Sequence, residues 1–190
     1  MGAVVEKDIF LAFSAPITPQ TAQTLMLNIA QQIQQGFTTL HLLFSTPGGQ
    51  VDAGITLHNT LRALPVRLIM HNTGNIDSIG NAVFLAAEER YASPNSRFMF
   101  HGVGFEVQGQ TVHFDERLLN ERLSGIQSDQ ARIASIMTER TSITAEQVRE
   151  LFLKAAFLNA EEAKTHGIIV DVRHPKVPQG TPFQQIAIQG

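Results

Sequence analysis

The spacing of apolar and polar positions changes period repeatedly along this chain, and each change predicts an element. Lys7–Phe13 alternates weakly, as a strand does. Thr18 followed by Pro19 reads as an N-cap with proline at the first helical position, and Ala22, Leu25, Met26, Ile29 and Ile33 continue at helical spacing. Gly36 then stands where a helix commonly ends on a left-handed residue. Phe37–Phe44 is a second strand. Val51–Leu64 returns to helical period and is stopped by Pro65, and Val66–His71 is a third strand. Asn72–Asn75 reads as a connection into a helix that starts near Ser78, with short strands expected at Arg90–Ala92 and Arg97–His101.

Strand and helix in alternation predict an α/β fold of crossover units on a largely parallel sheet. Ligands of such sheets bind outside the carboxyl ends of the strands. Pro47-Gly48-Gly49, Ser78 and His101 all follow strand ends.

The second half of the chain reads differently. Phe105–Phe114 is an extended excursion that Gly109 breaks into a hairpin. Asp115–Arg140 is a long helix bearing Leu118, Leu119, Leu123, Ile126, Ile133, Ile136 and Met137, an apolar face for packing, including against another subunit. Thr144…Gln147 and Asn159…Glu162 are capping boxes for two short helices. Gly167 ends the second, and Ile168–Val172 is a final strand. Met1–Lys7 and Arg173–Gly190 read as tails. The expected organisation is one domain: 7–104 as the head, 105–140 projecting from it, 141–172 returning and 173–190 as a tail.

Composition narrows the classes. The 190 residues are 43% hydrophobic, with a formal net charge of -3 and scattered lysines and arginines. Nucleic acid and anionic membrane are therefore not expected partners. Cysteine is absent, which excludes a disulfide framework and a thiolate nucleophile. No apolar run approaches the roughly 18 residues of a membrane span, and no signal peptide is evident, so a cytoplasmic location is expected. His41, His58, His71, His113, His166 and His174 show no metal-ligand spacing, and neither metal nor cofactor is expected.

A serine hydroxyl attacks well only when a base takes its proton, and histidine is the usual base. Ser78 in the first turn of a helix would gain free N–H groups and the positive dipole end, both favourable to an oxyanion. Gly48 and Gly49 have no side chains to block a carbonyl. Taken singly, Asp77-Ser78 is an N-cap, Pro47-Gly48-Gly49 a turn and His101 a structural residue. Taken together, they form a candidate hydrolase site.

Five segments in order resemble the proteolytic subunit of the Clp protease, the serine peptidases of the ClpP/crotonase fold. They are Ser45-Thr-Pro-Gly-Gly-Gln-Val-Asp-Ala-Gly54, Gly74-Asn-Ile-Asp-Ser-Ile-Gly80, Ser93-Pro-Asn-Ser-Arg-Phe-Met-Phe-His101, Gln108-Gly-Gln110, and Phe157-Leu-Asn-Ala-Glu-Glu-Ala-Lys-Thr-His-Gly167. The resemblance covers about Asp8 to Arg173. It implies Ser78 as nucleophile, His101 as base, the backbone of Gly49 and Ile79 as oxyanion hole, and Gln50 and Val51 as partners of substrate backbone. It also implies repeated β-β-α crossover units, with 105–140 as a strand–helix handle joining stacked homo-oligomeric rings. Peptides or unfolded proteins are the implied substrates.

Two departures stand out. The triad aspartate of the family falls at Ala155, which reduces the triad to a dyad. Met1–Glu6 is too short for the axial loop and first helix that guard the pore and help dock the AAA+ ATPase, which puts conventional ATPase coupling in question. Two alternatives therefore remain beside a peptidase: a catalytically silent homologue with an assembly or binding role, and a crotonase-branch acyl-CoA enzyme. Ser78 and His101 at peptidase positions weigh against the latter. A signal-peptide peptidase of the same clan would need a lysine base, which has no suitable place here.

Overall fold

In the computed structural model, residues 7–105 and 114–188 are described. Strands β1 (Asp8–Ser14), β2 (Thr39–Thr46) and β3 (Arg67–Asp77) pair in parallel, and the helices α1 (Pro19–Gln34) and α2 (Val51–Arg62) make the returns between them. Parallel neighbours cannot be joined by a tight turn, so each crossover needs an element of its own. Helix α1 starts where the sequence predicts: Thr18 accepts from the Thr21 N–H at 3.2 Å, and Thr21 returns a bond to the Thr18 N–H at 2.9 Å.

Strand β3 is longer than its apolar run. Ile69–Asn72 pairs with β4 (Glu89–Ala92), and Asn75–Asp77 pairs with β5 (Arg97–Met99). The register of β3 against β2 shifts between Phe44 and Thr46. The expected Asn72–Asn75 connection is thus the bent middle of one strand, held by a neighbour on each side of the bend. The helix expected at Ser78 starts instead at Gly80 and is one turn long, α3 (Gly80–Phe84).

Helix α4 (Glu116–Arg140) buries only Ile133 and Met137, near its C-terminal end. Leu119 and Leu123 stand 51% and 52% exposed, so the helix leaves the head with an apolar stripe uncovered within this protomer. Gln108, Gly109 and Gln110 lie outside the described residues. Both later capping boxes form, at Thr144 for α5 (Ala145–Lys154) and at Asn159 for α6 (Ala160–Thr165).

Three further strands complete the sheet. β6 (Phe157–Asn159) runs antiparallel to β5, β7 (Asp171–Val172) pairs with β4, and β8 (Phe183–Gln185) pairs with β1. The last strand expected at Ile168–Val172 is thus only its final two residues. The expected tail after Val172 returns to the sheet. Ile186 is buried, its N–H donates to the Ala12 carbonyl at 2.9 Å, and Gln184 bridges Gln32 and Asn28 of α1. A strand reading Phe-Gln-Gln has no apolar alternation to announce it; pairing of its backbone with the β1 edge places it there.

Alternate side chains of a strand face opposite ways. Leu40, Leu42, Phe44, Leu68 and Met70 face the helices and join Leu25, Ile29, Ile55 and Leu61 in one core. On the other face, rings stack. Phe10 lies on His41 with centroids 4.2 Å apart, His41 on His71 at 5.6 Å and His71 on Tyr91 at 5.4 Å.

Candidate active site

Ser78 follows directly on β3, and its N–H donates to the Met99 carbonyl at 2.8 Å, which extends the β3–β5 pairing by one residue. The chain then reverses sharply, with Ser78 at φ 56. A left-handed conformation costs a residue with a Cβ roughly 1–2 kcal/mol, so something must hold it. Asn81 does: its Nδ2 donates to the carbonyls of Ser78 at 3.0 Å and Met99 at 2.8 Å. Ser78 is therefore the corner of a strand-to-helix turn and not a helix cap. Five residues of helix add little dipole, so an anion here depends on individual N–H groups.

The glycine turn lies against that corner. Gly48 has φ 89, and a Cβ on it would stand 2.7 Å from the Ser78 Cβ and 2.8 Å from the Asp77 carbonyl oxygen. No side chain fits there. On Gly49 a Cβ would collide with the carbonyl of Ile17. Ile17 grips the turn from both sides, donating to the Gly48 carbonyl and accepting from the Gln50 N–H, each at 2.8 Å. Between those two bonds, the Gly49 N–H has no acceptor among the described residues, and neither has the Ile79 N–H.

His101 is held by its neighbours. The Phe100 N–H donates to the Ala156 carbonyl at 2.8 Å, and the Gly102 N–H to the Phe152 carbonyl at 3.2 Å, so the end of α5 braces the segment. His101 Nδ1 lies 2.7 Å from the Gly102 carbonyl oxygen. A carbonyl can only accept, so Nδ1 carries the hydrogen and Nε2 presents its lone pair.

Ser78, His101, Gly49, Ile79 and Val51 all line one cavity of about 360 Å³, whose apolar wall is Phe100, Ile133, Met137 and Phe152. Gln50 does not line it. That side chain faces the groove between α1 and α2, and its backbone is engaged by Ile17 and Gly54. Ala155 caps α5 in a left-handed conformation at φ 47, one residue before the carbonyl that holds Phe100. Its side chain is a single methyl group. Asp77, beside Ser78 in sequence, is engaged elsewhere: its Oδ2 accepts from Asn75 at 2.8 Å and faces Arg97 at 3.7 Å. Sequence reasoning missed Asn81 and the apolar wall. A polar residue three places after a candidate nucleophile was the available signal for the first. The second needs α4 and α5 folded over the cavity.

A parallel crossover sheet that brings a hydroxyl, an imidazole and two unpaired backbone donors to one cavity at its strand ends is a layout suited to acyl transfer. The chain belongs to the Clp protease family, whose model matches residues 3–176. It is 27% identical over 132 residues to the ATP-dependent Clp protease proteolytic subunit 2 of Pseudomonas aeruginosa, covering 68% of this chain and 63% of that protein. With proteolytic subunit 3 of Rhizobium etli it shares 25% identity over 180 residues, 89% of this chain and 88% of the relative. Among solved structures, a mutant of ClpP1 from Listeria monocytogenes superimposes with a TM-score of 0.71 at 22% identity, over 88% of this chain and 92% of that one. The fold is that of ClpP. Among the described residues, no helix is long and apolar enough to cross a membrane.

Proposed function

We propose that this chain is a serine-type endopeptidase that hydrolyses peptides through Ser78 and His101. The observation that carries this reading is the left-handed corner at Ser78, packed on Gly48 and sharing its cavity with His101. Ser78 Oγ attacks the scissile carbonyl carbon while His101 Nε2 takes the hydroxyl proton. The oxyanion forms against the N–H groups of Gly49 and Ile79. His101 then returns the proton to the leaving amine, and water hydrolyses the acyl-enzyme by the same steps in reverse. The backbone at Val51, also on the cavity, suits an extended peptide, and the apolar wall suits an apolar side chain.

The carbonyl of Gly102 holds the histidine tautomer, as a triad acid would. A neutral oxygen stabilises the imidazolium less than a carboxylate does, so turnover is weak and directed at short, unstructured peptides. A fluorophosphonate probe tests the assignment: it should label Ser78 alone. Equal labelling of the Ser78→Ala variant rules it out.

A second reading, a homologue that assembles but does not turn over, draws support from Ala155. Labelling at Ser78 without peptide cleavage would select it. Under either reading the exposed Leu119 and Leu123 stripe is buried between subunits of a homo-oligomer. Light scattering should give a mass several times 20.9 kDa, and a stable monomer at micromolar concentration would contradict assembly.

A further inference from the structure

The sheet face turned away from the helices opens into a cavity of about 420 Å³ that no step of the proposed reaction uses. Phe10, His41 and His71 line it from the strands, and Arg173, His174 and Lys176 from the segment after β7. Among the described residues its lining holds no carboxylate, although the chain as a whole carries a formal charge of -3.

The cations are placed rather than scattered. The Arg173 N–H donates to the Ala92 carbonyl at 2.8 Å, and the guanidinium lies 3.4 Å from the centre of the Tyr91 ring. Stacking occupies the face of the guanidinium and leaves its N–H edge to bind. Among the described residues, the side chains of Arg173, His174 and Lys176 have no salt bridge or hydrogen bond. The three carboxylates nearby, Asp8, Glu89 and Asp171, are engaged by other groups, Asp171 by the Lys164 ammonium at 2.6 Å. Asp8 faces His41 Nε2 at 3.5 Å, and Glu89 is bound by Arg67 and by the Tyr91 hydroxyl at 3.1 Å.

The histidines beneath add an independent feature. Asp8 can only accept, so His41 Nε2 carries a hydrogen and His41 Nδ1 accepts from His71 Nε2 at 3.3 Å. His71 Nδ1 is then a buried acceptor with no donor among the described residues, in a residue only 4% exposed. Burial, reinforced by His41 and Arg173, holds the His71 imidazole down to about 4. It is neutral at pH 7 and offers a lone pair rather than a charge.

We propose that this cavity binds the phosphate group of a small hydroxylated molecule. A phosphate monoester carries close to two negative charges and three acceptor oxygens, which suits a guanidinium edge, an ammonium and an imidazole better than a planar monocarboxylate does. The volume left over accommodates an organic body, and a hydroxyl on that body supplies the donor that His71 lacks.

Calorimetric titration of the intact protein with inorganic phosphate and with glycerol 3-phosphate, at constant ionic strength, tests this. Both should bind saturably, with one site per chain, and shift the Cε1–H resonances of His71 and His174. Tighter binding of the ester assigns the site to a phosphorylated metabolite, and equal binding assigns it to free phosphate. The double variant Arg173→Gln, Lys176→Gln should weaken binding by at least about tenfold, since each lost charged hydrogen bond is worth 1.5 kcal/mol or more. Arg149→Gln, on α5, should leave it unchanged. Lys176→Gln alone, at an exposed position, should still weaken it measurably and serves if the double variant fails to fold. No saturation by about 10 mM, citrate binding as tightly as either phosphate, or unchanged affinity in these variants overturns the proposal.

Discussion

The two faces of the central sheet are built from the same strands and end in different environments. Toward the helices, Leu40, Leu42, Phe44, Leu68 and Met70 sit in an apolar core that excludes water and admits no charge. Away from them, Phe10, His41, His71 and Tyr91 form a stack of rings with Asp8 and Glu89 at its margins and Arg173 across it. The first face stiffens the strands whose ends carry Ser78 and His101. The second titrates. Rigidity at the candidate site and sensitivity to pH are thus separated by the thickness of one sheet, and each can be perturbed without the other.

The largest effect expected on the helix side is at Ser78. Ser78→Ala should lower peptide cleavage by about 10³-fold or more, while stability is retained or slightly raised, because alanine at φ 56 keeps the same strain without a reacting group. His101→Ala should do likewise, since the hydroxyl then has no base to take its proton. Full activity in a His101→Ala protein would remove the base assignment.

On the opposite face the expected change is in stability. His71 has a folded pKa of about 4, against 6.5 when exposed. Its folded-state value is depressed, so the unfolded chain binds the extra proton between those pH values. The stability it contributes is fully present above 6.5 and is lost as pH falls toward 4. The span corresponds to roughly 3 kcal/mol at most. Denaturation measured at several pH values should show this slope, and His71→Phe should flatten it without altering probe labelling of Ser78. An unchanged slope would place the titrating group elsewhere.

Ala155 offers smaller effects that return the comparison to the site. An aspartate tolerates the left-handed region better than most residues, so Ala155→Asp should fold and raise peptide cleavage by about tenfold as its carboxylate competes with the Gly102 carbonyl for His101. No gain in a folded variant would mean that the carbonyl already orients the ring fully. The smallest change expected is in Ala155→Gly. Relief of strain at φ 47 should stabilise the chain by up to about 1 kcal/mol by denaturant titration, partly offset by the entropy of the unfolded glycine.

The sequence alone was sufficient for most helices and strands and for part of the cavity lining, Ser78, His101, Gly49, Ile79 and Val51, because periodicity, capping boxes and glycine turns are local features. Thr18, Thr144 and Asn159 each cap the helix their spacing predicts. The strand-end rule was likewise enough to bring Ser78, His101 and Gly49 to one place. Tertiary structure decided what depends on distant partners. Pairing of β3 with β5 and the two bonds from Asn81 turned Ser78 from an expected first-turn helix residue into a left-handed corner. Ile17 engaged the Gln50 N–H and left that of Gly49 without an acceptor among the described residues. The open edge of β1 drew in a strand from a segment that reads as a tail, and residues just before it closed a cationic cavity over the half-buried His41 and the buried His71. A backbone hydrogen bond or a stacked ring depends on which chain segment arrives beside it, and that is set by the whole fold.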